Sequence, residues 1–303
     1  MPTVTIGLPV YNGESFVRLT LESVLNQTFG DFELLIADNA STDSTLAICS
    51  AFASWDRRVR ILRSDVNQGA APNYNRLVHH ASGRYFKWLP HDDLIAPTYL
   101  ERCVGFLEAH PETLLCYPAT VGINEHGDRL DRDAEDGLDV TDRLPSVRFR
   151  QYIESSFTNR QCNAVLGVIR TAILRGTRLI GPYVASDKIL LAELALRGPF
   201  HQLTEELFFR RYHATASLSL HPQPEDRDRW FDTQRSAPRL FVHWKWFAAN
   251  LESIHHAHLS PAQSVACYAH MWRYLGLYRY SLYDELKHIL RAKMQRPAKK
   301  ESR

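Results

Sequence analysis

Residues 85–94 read YFKWLPHDDL. The aromatic run YFKWL suits a buried strand, Pro90 stops it, and His91, Asp92 and Asp93 follow. Neighbouring carboxylates repel, and a fold tolerates them only where water, a cation or an array of donors takes up the charge. A strand that delivers such a pair at its end is the sort found where a sheet meets a ligand.

The segments before it repeat the arrangement. VTIGLPV (4–10), FELLIAD (32–38) and RVRILRS (58–64) read as strands. Helix-like spacing follows in SFVRLTLESVLNQ (15–27), STDSTLAICSAFASW (41–55) and PNYNRLVHHAS (72–82), and again after residue 94 in PTYLERCVGFLEAH (97–110). Strands alternating with helices of this length predict an α/β fold with a mostly parallel central sheet flanked by helices. The ends of these strands put Pro9, Tyr11 and Asn12, then Asp38, then Asp92 and Asp93 on one rim. Further on, PSVRFRQYIESSF reads as helix, NAVLGVI as strand, SDKILLAELALRG (186–198) as helix and ELFFRRYH (206–213) as strand. DRLDRDAEDGLDVTD (128–142) is acidic, has no apolar period and reads as a solvated loop.

The 303 residues, 45% hydrophobic and 23% charged, suit one large α/β domain with an appendage. A formal net charge of +2 gives no argument for nucleic acid. Five scattered cysteines without a C-x-x-C pair argue against a zinc site or a disulfide framework. The start does not resemble a signal peptide, and no apolar run is long enough for a bilayer, so a cytoplasmic protein is expected. Beyond residue 221 the chain turns to amphipathic helices bearing Trp230, Trp244, Trp246 and Trp272 among basic residues. Packing on the main domain or homodimerisation is the favoured use of these aromatics; peripheral membrane contact is the other.

TIGLPVYNGESF, LLIADNASTDST, NQGAAPNYN and WLPHDDL stand in the order and spacing of the inverting family 2 glycosyltransferases of the GT-A fold, which this chain resembles over residues 1–220. ASDKILLAEL and FFRRYHATASLS are similar to that family's acceptor-base and closing-loop segments. The resemblance implies a Rossmann-like GT-A domain, with nucleotide-sugar binding in about 1–120 and the acceptor side in about 121–220. A helical region, 221–303, follows. It implies transfer of a sugar from a nucleoside diphosphate sugar, UDP-sugar before dTDP- or GDP-sugar, to a hydroxyl with inversion. The acceptor would be a glycan, a lipid-linked or a small molecule, in polysaccharide or glycoconjugate synthesis. Mn²⁺ or Mg²⁺ is the implied cofactor, because a hard cation takes oxygen ligands and neutralises a departing diphosphate.

Asp93 is the preferred metal ligand, with Asp92 on the ribose or on the metal. Pro90 stands where the family often has a further Asp. Asp38 fits recognition of the base or ribose, since a carboxylate accepts from imide N–H or hydroxyl groups; helix capping, its alternative, is within reach of Asn39, Ser41, Thr42 or Asp43. Pro9, Tyr11 and Asn12 fit a loop against the base, and Glu14 a further polar contact. Asn67 and Gly69 precede a helix start suited to anions, and Asn73 is placed on the donor sugar. Arg210, Arg211 and His213 are assigned to the diphosphate, His213 also to the metal. Asp187 is the candidate base, with Ser186 where the family commonly has Glu; first-turn capping is its plainer reading. Two rivals remain: a catalytically silent nucleotide-sugar binder or assembly partner, and a sugar nucleotidyltransferase, whose Gly-rich basic loop LPVYNGES lacks. A dinucleotide-binding dehydrogenase is disfavoured without G-x-G-x-x-G.

Overall fold

The computed structural model describes residues 1–131, 138, 140–157, 163–214, 216, 230, 231, 233 and 242–294. Eight strands form one sheet: β1 (Val4–Val10), β2 (Phe32–Asp38), β3 (Val59–Arg63), β4 (Tyr85–Trp88), β5 (Leu94–Ile95), β6 (Leu115–Ile123), β7 (Val168–Arg170) and β8 (Phe200–Arg211). Their order across the sheet is β3-β2-β1-β4-β7-β6-β8-β5. Between β1 and β3 run the helices α1 (Val17–Leu25) and α2 (Thr45–Trp55); α3 (Ala70–His80) returns the chain to the other side of β1, where β4 pairs with it. The reversal opens a switch point between β1 and β4, the position at which α/β sheets hold ligands.

The sheet is more mixed than the alternating pattern predicts. Pairings β1–β2, β1–β4, β2–β3 and β6–β8 are parallel, whereas β4–β7, β6–β7 and β5–β8 are antiparallel. Half of the strand expected in NAVLGVI is a 3₁₀ turn, Asn163–Leu166, and only Val168–Arg170 joins the sheet. That turn leaves the Leu166 carbonyl free for Lys87 Nζ, 2.6 Å away. Lys87 lies wholly buried in β4. Its ammonium also approaches the Tyr99 hydroxyl, at 3.2 Å, and stands over the Tyr99 and Phe208 rings. Burial pushes its pKa down to about 7.

Side-chain alternation divides the core into two layers. Val4, Ile6, Leu8 and Val10 of β1, with Leu34 and Ile36 of β2, pack towards α1 and towards α4 (Tyr99–Ala109). Leu35, Ala37, Phe86 and Trp88 face the opposite layer, built from α3, α5 (Pro145–Phe157) and α7 (Ser186–Arg197). A short α6 (Thr171–Arg175) precedes α7. Of the C-terminal helices, α8 (Val242–His256) and α9 (Pro261–Leu277) share this second core: Ile254, Cys267, Met271 and Tyr274 join Leu190, Leu191 and Leu194 of α7. Trp246 Nε1 donates to the Val184 carbonyl at 3.0 Å, and Trp244 Nε1 reaches Leu282 of α10 (Arg279–Met294) at 3.2 Å. Trp246 thus packs on the main domain, one of the two favoured uses, while Trp244 packs within the helical region. Residues 132–137 and 139 of the acidic stretch, and 295–303, fall outside the described part.

Candidate active site

The two-residue β5 decides the site. Leu94 and Ile95 pair with Phe209 and Phe208 of β8, so the chain after the paired aspartates crosses to the far edge of the sheet and locks onto the strand carrying Arg210 and Arg211. The Arg211 amide donates to Asp93 Oδ1 at 2.9 Å, and its Nε donates to the Asp92 carbonyl at 2.9 Å. Two residues beyond the end of β8, His213 Nε2 stands 3.0 Å from Asp92 Oδ2, with the His213 ring against Phe16 at 4.5 Å. Thr20 Oγ1 anchors the turn from below, 2.7 Å and 2.9 Å from the carbonyls of His91 and Asp93.

Alternation along β8 gives the two arginines different work. Arg211 spends its guanidinium on the carbonyls of Asp92, Asn124 and Glu125 and lies over the Phe16 ring. It braces the site from outside and is not turned towards a diphosphate as expected. Arg210 extends the other way, held by Asn163 Oδ1 at 2.8 Å, and its charge is felt by Asp93, Asp187 and Tyr74 alike. The Tyr74 hydroxyl in turn senses Asp92, Asp93 and Asp187, and burial with these three charges pushes its pKa up. Tyr74, half-buried on α3, thus lies within electrostatic reach of all three carboxylates. Sequence reading overlooked it, although its place in NQGAAPNYN, next to Asn73, carried the signal.

The charges differ in character. Burial opposes ionisation of Asp92, but the His91 imidazole and the His213 hydrogen bond outweigh it and hold the carboxyl below its usual range. Burial and then the Asp92 charge push Asp93 the other way, well above the carboxylate range. Asp187 opens α7, where the helix dipole favours a negative charge, and its Oδ1 accepts from the Lys188 amide at 2.9 Å. Burial still wins and raises its pKa.

At the other end of the rim, Asp38 closes β2 almost fully buried. Its Oδ1 accepts weakly from the Ser41 amide, at 3.3 Å, while Oδ2 is a buried acceptor without a partner among the described residues. Asn39 places the next loop beside it: Nδ2 donates to Asn67 Oδ1 at 2.9 Å and to the Gly69 carbonyl at 3.1 Å, and Oδ1 accepts from the Gln68 amide. Gly69 takes φ 90°, a conformation that costs other residues a Cβ clash. Tyr11, just past the end of β1, is 42% exposed.

Several candidates serve as struts. Pro9 lies inside β1, buried and paired with Ala37, one turn earlier than the loop expected of it. Asn12 Oδ1 accepts from the Thr42 amide at 2.8 Å, and Glu14 Oε2 from the Ser44 amide at 2.9 Å, so both tie the β1 loop to the start of α2. Asn73 is 4% exposed and donates to the Ala37 carbonyl at 2.9 Å, bolting α3 under β2 instead of lining the hollow. Gly13 lets the His91 ring close over the β1 loop; a Cβ there would lie 2.4 Å from His91 Cδ2 and 2.8 Å from Val10 Cγ2. Gly13→Ala is expected to destabilise by roughly 1–3 kcal/mol, the usual cost of overpacking. Thermal melting checks this, and adding His91→Ala should recover part of the loss.

The expected ligand set of Asp92, Asp93 and His213 does not stand open as three converging donors. His213 is hydrogen-bonded to Asp92, and no group of three His, Cys, Asp or Glu poised for a metal occurs among the described residues. The adjacent carboxylates still fit a hard divalent cation. Asp93 Oδ2 is uncommitted among the described hydrogen bonds, and the mutual repulsion that raises Asp93 is what such a cation removes.

Comparison with known proteins identifies the family and the fold. The family model described as Glycosyl transferase family 2 matches residues 5–164. EpsE of Bacillus subtilis (strain 168) is 36% identical over 110 residues, 36% of this chain and 40% of that protein. The chondroitin synthase of Pasteurella multocida (strain Pm70) is 36% identical over 129 residues, 42% of this chain and 13% of that one. The chain thus spans less than half the length of these relatives. Among solved structures, S. aureus TarS 1-349 in complex with UDP-GlcNAc superposes with a TM-score of 0.66 at 15% identity, over 91% of this chain and 72% of that chain. The mannosyltransferase PcManGT from Pyrobaculum calidifontis, in complex with GDP-Man and Mn²⁺, gives 0.52 at 15% identity, over 98% and 81%. These likenesses show a shared GT-A fold.

Proposed function

Because the chain belongs to glycosyl transferase family 2, we propose that it transfers a sugar from a nucleoside diphosphate sugar to an acceptor hydroxyl with inversion at the anomeric carbon. The observation that supports this reading is the β5–β8 ladder, which brings Asp92 and Asp93 to His213 and to the strand that carries Arg210; Asp187 lies within electrostatic reach of Arg210. A diphosphate needs cationic neighbours and an attacking hydroxyl needs a base, and these side chains are of both kinds.

The nucleoside lies at the Asp38 end. The unpartnered Asp38 Oδ2 accepts from a base N–H or a ribose hydroxyl, Tyr11 stacks on the base, and the Asn67–Gly69 loop lies alongside. UDP is the favoured carrier, supported by the UDP-GlcNAc held by the structural neighbour TarS. The diphosphate reaches Arg210 and His213. Asp93, with Asp92, would hold a divalent cation, Mn²⁺ or Mg²⁺, which supplies Lewis-acid neutralisation of phosphoryl oxygens; Mn²⁺ accompanies the donor in the PcManGT structure. Asp187 takes the acceptor hydroxyl proton on a carboxylate oxygen. The acceptor oxygen bonds to the anomeric carbon as the bond to the diphosphate oxygen breaks, and that oxygen leaves with the electron pair. Raised by burial, the Asp187 carboxylate is a stronger base than a solvated one.

The acceptor is a hydroxyl of a glycan, a lipid-linked or a small molecule, in polysaccharide or glycoconjugate synthesis. No described helix is long and apolar enough to cross a membrane. Melting the protein with UDP, dTDP and GDP, each with and without Mn²⁺, tests the donor side. UDP with Mn²⁺ should give the largest upward shift, and a protein insensitive to every diphosphate would remove the reading.

A further inference from the structure

Helices α9 and α10 bury one face each and leave an aromatic stripe on the other. In α9 the inner face is Cys267, Met271 and Tyr274, all 3% exposed or less, at the spacing of one helical side. The outer face carries Val265, Tyr268 and Trp272, exposed by 69%, 39% and 75%. In α10 the inner face is fixed by Leu282, whose carbonyl accepts from Trp244, and by Glu285, which takes His243 Nδ1 at 2.7 Å. Tyr280 and Tyr283, on the outward side, are 70% and 63% exposed. A surface helix ordinarily fills its outer face with charged residues. Tyr268 and Trp272 on one helix, and Tyr280 and Tyr283 on the next, each stand one turn apart on their own helix, and exposed aromatic pairs of this kind mark a docking site.

The charge around the stripe selects the occupant. Arg273 is paired with Glu154 at 3.0 Å and Glu285 is turned inward on His243, which leaves Arg279 and Lys287 as the basic residues beside the stripe. Arg279 lies over the Tyr280 ring, and Lys287 is exposed one turn beyond Tyr283; Asp284 is the acidic residue left outside. A second copy meeting this face about a two-fold axis would set the Arg279 and Lys287 surface against itself, with like charges opposed. An anionic lipid surface has the complementary charge, and Trp and Tyr, apolar in body and polar at the tip, are the residues that settle at its headgroup level. We propose that the outer face of α9 and α10 docks on an anionic lipid surface, with Tyr268, Trp272, Tyr280 and Tyr283 at headgroup depth and the basic residues on the lipid charge.

Co-sedimentation of the full chain with phosphatidylcholine vesicles, with and without 30% phosphatidylglycerol (about the anionic content a charge-driven contact needs), reads this directly. Binding should be about tenfold stronger to the anionic vesicles and weaken when salt is raised from about 0.1 to about 0.5 M. The triple variant Trp272→Ser, Tyr280→Ser, Tyr283→Ser should lose about tenfold in vesicle binding, while its melting temperature and nucleotide response stay those of the parent. Arg279→Glu with Lys287→Glu should abolish the preference for anionic vesicles and keep the fold. Equal binding to both vesicle types overturns the proposal, as does a triple variant that binds like the parent. A parent dimer in light scattering that the triple variant turns into monomer would assign the face to a second copy and equally overturn it.

Discussion

Asp187→Asn lowers the rate of sugar transfer by about 10²–10⁴-fold, the range general bases contribute, and leaves affinity for the nucleotide diphosphate unchanged. Asn keeps the shape and the contact with the Lys188 amide but cannot take a proton. The two roles open to Asp187, base and first-turn residue of α7, separate cleanly in this variant. A capping role alone predicts lower stability and normal transfer. The base role predicts the reverse, because burial raises the Asp187 pKa. A carboxyl raised on folding binds more protons folded than unfolded, so its ionised form costs stability as pH rises through the window above the ordinary Asp range of about 4. The Asn variant escapes that cost and should melt higher at neutral pH, by roughly 2–4 °C for each kcal/mol recovered. In the parent enzyme, transfer should climb with pH as Asp187 ionises, and residual transfer by the variant should lack that limb. Transfer at the parental rate would end the assignment of Asp187 as base.

Asp93→Asn should weaken cation-dependent nucleotide binding by about 100-fold or more, given that even supporting residues of a metal site account for 10–100-fold. The effect reaches binding, in contrast to Asp187→Asn. Isothermal titration of UDP with and without Mn²⁺ separates the two variants. Without cation, Asp93→Asn should be the more stable protein. Burial and the Asp92 charge both oppose ionisation of Asp93, so its pKa is raised on folding and the parent loses stability relative to the variant as pH rises above about 4. Added Mn²⁺ should close the gap by stabilising only the parent. An Asp93→Asn protein that keeps its Mn²⁺-dependent affinity would show that the carboxylate does not hold the cation.

What the sequence made legible is local. β1 and β2 declare themselves through short apolar runs, and Asp38, Asp92 and Asp93 stand out because each comes at or after the end of such a run. What stayed hidden depends on pairing between distant segments. The two residues of β5 are too few to show a period, yet their ladder with β8 brings Asp93 to Arg211 across 118 positions. Arg210 and Arg211 looked equivalent as neighbours; only the facing of β8 makes one a site residue and the other a brace. Lys87 in an aromatic strand gave no hint of the Leu166 carbonyl that receives it, because the 3₁₀ turn was read as strand. Tyr74 was passed over for Asn73, although helix geometry turns Asn73 down onto Ala37 and leaves the phenol among the carboxylates.

The two borders of the sheet have a bearing on how copies of this chain meet. One border is β5, whose two residues offer an incoming strand almost no ladder to extend; the other is β3, which shows exposed Arg60 and Arg63 to solvent. Brevity guards one side and charge the other, the means by which sheets avoid templating aggregation. At β3 and at the short β5 an incoming strand thus finds little to extend.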